Sequence, residues 1–330
     1  MTLEHLHEQL DAVRGEIRRV IVGQDEVVRG VLIGILAGGH VLLEGLPGLG
    51  KTLLVRALAQ VLDLRYSRLQ FTPDLMPGDI LGSHTLADDH SSSAKVIFQP
   101  GPIFANLILA DEINRAGAKT QSALLEAMQE HTVTIANQER SLPRPFFVMA
   151  TQNPIDMEGT YPLPEAQLDR FIFKLQVRYP TPDELGEIMM RPNNSELPSL
   201  QRVMDAGALL EGQRRVRDVP AASYVVDYAK RLILATHPDR PEAPTAIRHH
   251  VRYGASPRAA QALLLAARIN AILEHRVNVA FEDIRRVAHP TLRHRIITSL
   301  EAQLEDQNPD RILDTILEAV PEEVGLGRTR

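Results

Sequence analysis

Lys51 and Thr52 close the stretch Gly45-Leu46-Pro47-Gly48-Leu49-Gly50-Lys51-Thr52, in which Gly45 is followed five residues later by Gly-Lys-Thr. Glycines without a Cβ let backbone N–H groups turn tightly and approach an anion, and an ammonium and a hydroxyl at the end of the turn suit a phosphate chain. In that pattern Lys51 reaches the β- and γ-phosphates and the Thr52 hydroxyl holds Mg²⁺, so the residues predict a nucleoside triphosphate site. A second chemical pair, Asp111-Glu112, ends the apolar run Leu107-Ile108-Leu109-Ala110. Asp111 would complete the Mg²⁺ shell through Thr52 and water, and Glu112 would polarise the attacking water as general base. A third candidate is Asn153, after the apolar run Phe146–Thr151; an Asn before Pro is ordinarily a turn residue, but at the tip of a core strand it can hydrogen-bond the water or the γ-phosphate.

These residues need elements to position them. Val41-Leu42-Leu43 reads as a short strand buried on both faces, and Leu53, Leu54, Ala57, Leu58 and Val61 recur at helical spacing after the glycines. A strand entering a glycine-rich turn and leaving as a helix aims the helix N-terminus at the phosphates. Asp-Glu at the end of an apolar strand about 60 residues downstream gains weight because the two strands can be neighbours in one sheet. Further strands are expected over Tyr66–Phe71 and Phe171–Val177, and helices over residues 3–19, beyond Gln24, and over Thr120–Gln129. Residues 74–106 read as an insertion: a short helix or turn over Leu75–Leu81, then a hairpin with a polar tip, Asp88 to Ser93. Residues 131–143 read as a second hairpin. Tyr179-Pro180-Thr181-Pro182 breaks the pattern, which divides the chain into 1–178 and 179–330. The second part reads as all-helical, with Ser256-Pro257-Arg258 as a helix start and a frayed end over Gly325–Arg330.

Composition narrows the classes. Of 330 residues 44% are hydrophobic and 24% charged, which is ordinary for a globular chain. No apolar run is long enough to span a membrane, and Met1-Thr2-Leu3-Glu4-His5 lacks the features of a secretion signal. Without cysteine there is neither a disulfide framework nor a thiolate metal site, so a cytoplasmic location is expected. Residues 1–180 hold 16 Lys and Arg against 21 Asp and Glu, and residues 181–330 hold 20 against 21. Neither half is basic, which argues against a dedicated nucleic-acid surface.

The motifs together resemble the MoxR ATPases of the AAA+ superfamily. Gly45–Thr52 looks like their Walker A, Asp111-Glu112-Ile113-Asn114-Arg115-Ala116 like their Walker B and its continuation, and Gln121–Glu130 and Ala150-Thr151-Gln152-Asn153-Pro154 are similar to further segments of the family. The resemblance implies an α/β P-loop core with a five-stranded parallel sheet in order 5-1-4-3-2, followed by an all-helical lid. It implies ATP and Mg²⁺ as cofactors, with nucleotide contacts from Val22, Gly23, Gly45, Pro47, Gly48, Leu49, Gly50, Lys51, Thr52, Leu53 and Asp111, and metal contacts from Thr52 and Asp111. It also makes Asn153 similar to sensor 1, Arg170 to an arginine finger that acts from a neighbouring subunit, and Arg258 to sensor 2, reaching from the lid to the γ-phosphate. Arg115 is a further candidate, with an interface salt bridge as its alternative. Such action in trans needs a head-to-tail ring, which the resemblance implies to be hexameric. The resemblance further suggests a partner carrying a von Willebrand factor A domain.

Three functions remain open at this point. The first is an ATP-hydrolysing, chaperone-like remodeller that assists assembly or cofactor and metal insertion in client proteins. The second is a nucleic-acid motor or a magnesium-chelatase-like subunit, against which the acidic balance and the lack of aromatic stacking tracts weigh. The third is an ATP-gated regulatory scaffold with little turnover, for which Glu112 and Arg170 would be superfluous.

Overall fold

Five short apolar runs form the spine of the computed structural model, which describes residues 2–87, 95–154, 161–191 and 199–322. They are β1 (His40–Glu44), β2 (Tyr66–Gln70), β3 (Leu107–Asp111), β4 (Phe147–Gln152) and β5 (Phe171–Gln176). All pair in parallel, in the order β2-β3-β4-β1-β5, which read from the other edge is 5-1-4-3-2. β1 lies between β4 and β5, so Val41, Leu42 and Leu43 are fully buried and the run has no reason to alternate. β2 is an uncovered edge and carries Ser67, Arg68 and Gln70.

The pleat sends alternate residues to opposite faces, and each face has its own core. Val41, Leu43, Leu107, Leu109, Met149 and Phe173 join one hydrophobic cluster; Leu42, Ile108, Ala110, Val148 and Ala150 join the other. The first face is covered by α1 (Leu3–Arg18), α2 (Asp25–Ala37) and α3 (Lys51–Val61). The second is covered by α4 (Ala118–Glu130), through Leu124, Leu125 and Met128. In α1 the buried residues Leu6, Leu10, Val13 and Ile17 recur at three- and four-residue spacing, a single apolar stripe. α2 is buried continuously from Val27 to Leu36 because it lies between the sheet and the C-terminal helices, so it shows no such stripe.

Two hairpins project from this core, Gly82–Ala87 with Lys95–Pro100, and Thr132–Ile135 with Gln138–Ser141. The Arg140 guanidinium lies 3.8 Å from the Phe98 ring centroid and ties them together. The short helix ahead of the first hairpin spans Pro77–Leu81. The polar tip Asp88 to Ser93 and the end Gly325–Arg330 lie outside the described residues.

After Pro182 the chain is helical, with α5 (Pro257–Leu273) and α6 (Phe281–Leu292) as its centre. It departs from the all-helical expectation where Val251–Tyr253 pairs antiparallel with Ile297–Thr298, and at an isolated parallel bridge between Ala221 and Val279. Strands of three and two residues are too short to show alternation, so only their pairing reveals them. The first hydrophobic cluster continues across residue 179 to Leu209, Tyr228, Leu263 and Ile284. A buried polar chain accompanies it. Arg29 of α2 donates to Asn270 Oδ1 of α5 at 2.7 Å, and Asn270 Nδ2 donates at 2.8 Å to Asp283, a fully buried carboxylate that also pairs with Arg276. Among the described residues no helix is long and apolar enough to cross a membrane.

Candidate nucleotide site

The glycine-rich turn opens where β1 ends. Gly45 N–H donates to Gln152 O at 3.2 Å, so the turn begins against the tip of β4. A Cβ at Gly45 would stand 2.8 Å from Val177 Cβ, which leaves room there for glycine alone. Gly48 and Gly50 have φ of +83° and +76°, the left-handed region that bends the chain before α3 begins at Lys51. Lys51 Nζ donates to Gly45 O at 2.7 Å and so spans the mouth of its own turn. Burial lowers the Lys51 pKa, and the nearby charges of Asp111 and Glu112 oppose that shift. Thr52 follows in the first turn of α3. Leu49 and Leu53 pack against the core beneath the turn. Gln24 Nε2 donates to Leu49 O at 3.0 Å and ties the Val22-Gly23 segment to the loop.

β3 delivers the two acids beside this turn. Asp111 Oδ1 accepts the Thr151 hydroxyl at 2.7 Å, and Oδ2 accepts Arg68 Nη2 at 2.6 Å. Glu112 leaves the strand with φ of +56°, uncommon for a residue with a side chain, and its N–H donates to the same Thr151 hydroxyl at 2.9 Å. Its Oε2 accepts from Gln70 Nε2 at 3.1 Å and from Arg115 Nη1 at 3.0 Å. The strand register pairs Leu43 with Thr151 and Glu44 with Gln152, so Asn153 emerges level with Gly45. Gly45, Lys51, Thr52, Asp111, Glu112 and Asn153 therefore lie at the carboxyl end of one sheet, the usual place for a ligand on an open parallel sheet.

Arg170 and Arg258 lie elsewhere. Phe171 pairs with His40 at the start of β1, whereas the glycine turn follows its end. Arg170, one residue earlier, is at the amino end of the strands, opposite its own P-loop, and donates from Nη1 to Leu125 O at 2.5 Å. Arg258 stands in the first turn of α5. Ser256, two residues before it, donates its hydroxyl to the Asp169 carboxylate at 3.2 Å, so α5 starts beside Asp169-Arg170. Ser256, at the cap position of α5, makes no capping bond to its own helix. A local helix-start signal cannot tell which end of a sheet that helix will meet.

Gly23 has φ of +69°, and a Cβ on it would run into the Glu184 carboxyl. Gly23 and Gln24 line the mouth of a cleft of about 760 Å³ between α2, β5 and the C-terminal helices, whose lining includes no residue of the glycine turn. Arg68, Gln70 and Thr151 are the site residues that sequence reasoning missed. The available signal was polarity inside strands, but pairing them with Asp111 and Glu112 required the register Gln70–Asp111.

The donor set fits Mg²⁺ carried by a nucleotide. Among the described residues no three His, Asp, Glu or Cys side chains gather as a metal cage. Magnesium typically keeps waters and takes one or two protein oxygens plus phosphates, which a carboxylate and a threonine at the first turn of α3 can supply.

Comparisons with known proteins agree with this geometry. Residues 40–173 match the ATPase family associated with various cellular activities (AAA), and residues 243–316 match the AAA lid domain. The fold is that of an AAA+ P-loop ATPase with a helical lid. The chain is 43% identical to Chaperone MoxR1 of Mycobacterium tuberculosis, covering 92% of this chain and 80% of that protein. It is 32% identical to Protein MoxR of Methylorubrum extorquens, with 93% of each chain covered. A crystal structure of a protein assigned as an ATPase from Cytophaga hutchinsonii superposes with a TM-score of 0.90 at 41% identity, covering 97% of this chain and 96% of that one. The chain belongs to the MoxR family of AAA+ ATPases.

Proposed function

We propose that this protein hydrolyses ATP at subunit boundaries of a head-to-tail, hexameric ring and uses the cycle to remodel client proteins. The observation that carries this reading is the separation of the site into two ends. Lys51, Thr52, Asp111, Glu112 and Asn153 stand at the carboxyl end of the sheet, while Arg170 and the start of α5 stand at the opposite end. A guanidinium there serves its own phosphates poorly and a neighbour's well, and an arginine supplied in trans stabilises the transition-state charge of phosphoryl transfer. On this reading Arg258 also faces the neighbour's nucleotide.

Within one boundary the roles divide as follows. The turn from Gly45 to Gly50 and Lys51 hold the phosphates, with Pro47, Leu49 and Leu53 shaping the loop. Val22 and Gly23 border the base. Thr52 and Asp111 hold Mg²⁺, which screens phosphate charge when bound. Glu112 accepts the proton of the attacking water, and Asn153 orients that water. The likeness to Chaperone MoxR1 supports a chaperone role; on our reading the cycle assists assembly or cofactor and metal insertion in a client, together with a partner bearing a von Willebrand factor A domain. Phosphate release measured with and without single-stranded DNA separates a remodeller from a nucleic-acid motor; no stimulation is expected.

The direct test uses two variants. Lys51→Ala should lose ATP binding in calorimetry, because the point charge and the backbone cradle act together. Glu112→Gln should keep binding and lose hydrolysis, since an amide cannot take the proton. Hydrolysis by Glu112→Gln above roughly a tenth of the wild-type rate would remove Glu112 from the role of base.

A further inference from the structure

The carboxylate that should meet the metal is already held by a cation of the chain itself. Arg68 Nη2 lies 2.6 Å from Asp111 Oδ2 and 2.7 Å from Gln70 Oε1. The parallel register of β2 and β3 sets Gln70 opposite Asp111, so Arg68 sits two residues back on the same side and its guanidinium runs forward along the edge strand. The two oxygens of Asp111 are held differently. Oδ1 takes a 2.7 Å bond from the Thr151 hydroxyl, and Thr151 is fully buried and fixed in β4. Oδ2 takes its bond from a long side chain that is 48% exposed on an uncovered edge. One partner is built in, and the other is free to leave.

We propose that Arg68 is a positioning residue that gates the metal site, occupying Asp111 Oδ2 in the absence of nucleotide and yielding it when a divalent cation arrives on nucleotide phosphates. Two effects act together. The guanidinium uses the lone pair that metal-bound water would need, and its positive charge offsets the carboxylate that would attract a dication. Free cation alone supplies no phosphate oxygens to displace it. A nucleotide-borne cation brings them, and the departing guanidinium moves into solvent from a position already half exposed. Arginine suits this task because it stays charged at any physiological pH.

The inference rests on the nucleotide reading of the glycine turn, and its test separates the two. Mn²⁺ is titrated by electron paramagnetic resonance into the full-length chain without nucleotide, for wild type, Arg68→Ala, Arg68→Gln and Arg68→Lys. Wild type should bind Mn²⁺ weakly. Arg68→Ala should bind it on the order of tenfold more tightly, because a neighbouring positive charge has gone. Arg68→Gln should also gain, and Arg68→Lys should exclude the ion nearly as well as wild type. The gain should vanish in the Arg68→Ala, Asp111→Ala double variant. ATP binding without metal, measured on the same proteins, reports the glycine turn independently: its absence in wild type would overturn the nucleotide reading while leaving the Mn²⁺ result interpretable. If neither Arg68→Ala nor Arg68→Gln binds Mn²⁺ more tightly, with ATP binding and circular dichroism intact, Arg68 is not a gate. A gain that persists in the double variant overturns it equally, because the ion is then bound elsewhere.

Discussion

At the scale of single residues, His40 shows how a core strand can carry a titratable group. It opens β1 and is 4% exposed. Its Nδ1 accepts the Val148 N–H at 3.0 Å, and its Nε2–H donates to Met128 O at 2.9 Å, so both ring nitrogens are committed to the neutral form. Burial, opposed by the bond to Met128 O and aided by the nearby charge of His131, lowers its pKa from 6.5 to about 4. A proton on Nδ1 would face a backbone donor. The folded pKa lies below the unfolded one, so the contribution to stability is complete above about pH 6.5 and is lost as pH falls through that value towards about 4. The full difference amounts to about 3 kcal/mol. Urea unfolding between pH 7.5 and 4.5 should show this loss, and His40→Leu, which cannot titrate, should show a shallower pH dependence; equal slopes would place the effect on other groups.

At the scale of elements, Asp169 is one of several polar contacts that join lid and sheet. Its carboxylate accepts the Ser256 hydroxyl and Arg295 Nε at 2.7 Å, and the Arg295 side chain is 3% exposed. Arg295 also donates to the carbonyls of Phe171 and Ile172, so one guanidinium fastens the end of α6 to the start of β5. Burial depresses the Arg295 pKa, and Asp169 works against that shift. Asp169→Ala removes the counter-charge and leaves a buried cation. It should cost about 3 kcal/mol, read as a lower denaturant midpoint with an unchanged slope. Asp169→Asn, which keeps a hydrogen-bonding group, should lose less. Because Arg170 is the next residue, either variant should also weaken hydrolysis more than ATP binding.

At the scale of the whole molecule, the proposed active site exists only between two chains. ATPase activity per chain should therefore rise with protein concentration as subunits associate. Arg170→Ala should bind ATP about as well as wild type and hydrolyse far less, since arginine fingers are worth about 10³–10⁵ in rate in the GTPase cases. Mixing Arg170→Ala with Glu112→Gln provides a sharper measurement. Some boundaries then combine an intact Glu112 from one chain with an intact Arg170 from the next, and phosphate release should reappear. No recovery in rings shown to exchange subunits would mean that Arg170 works within its own chain or not at all.

The sequence by itself determined the elements and the chemistry that lies close along the chain. The strand, glycine turn and helix around Lys51 are set by local rules: an apolar run, residues able to adopt positive φ, and a helical spacing of leucines. Asp111 and Asn153 could be named because each ends an apolar strand. Tertiary structure decided everything that depends on register or on which end of the sheet an element meets. It paired Gln70 with Asp111 and so brought Arg68 onto the carboxylate, across 43 positions. It also set the start of α5 against Asp169, away from the P-loop of its own chain. The physical reason is one of range. Backbone propensity and side-chain period act over a few residues, whereas pairing and packing are fixed by which buried surfaces and polar groups satisfy one another across the fold.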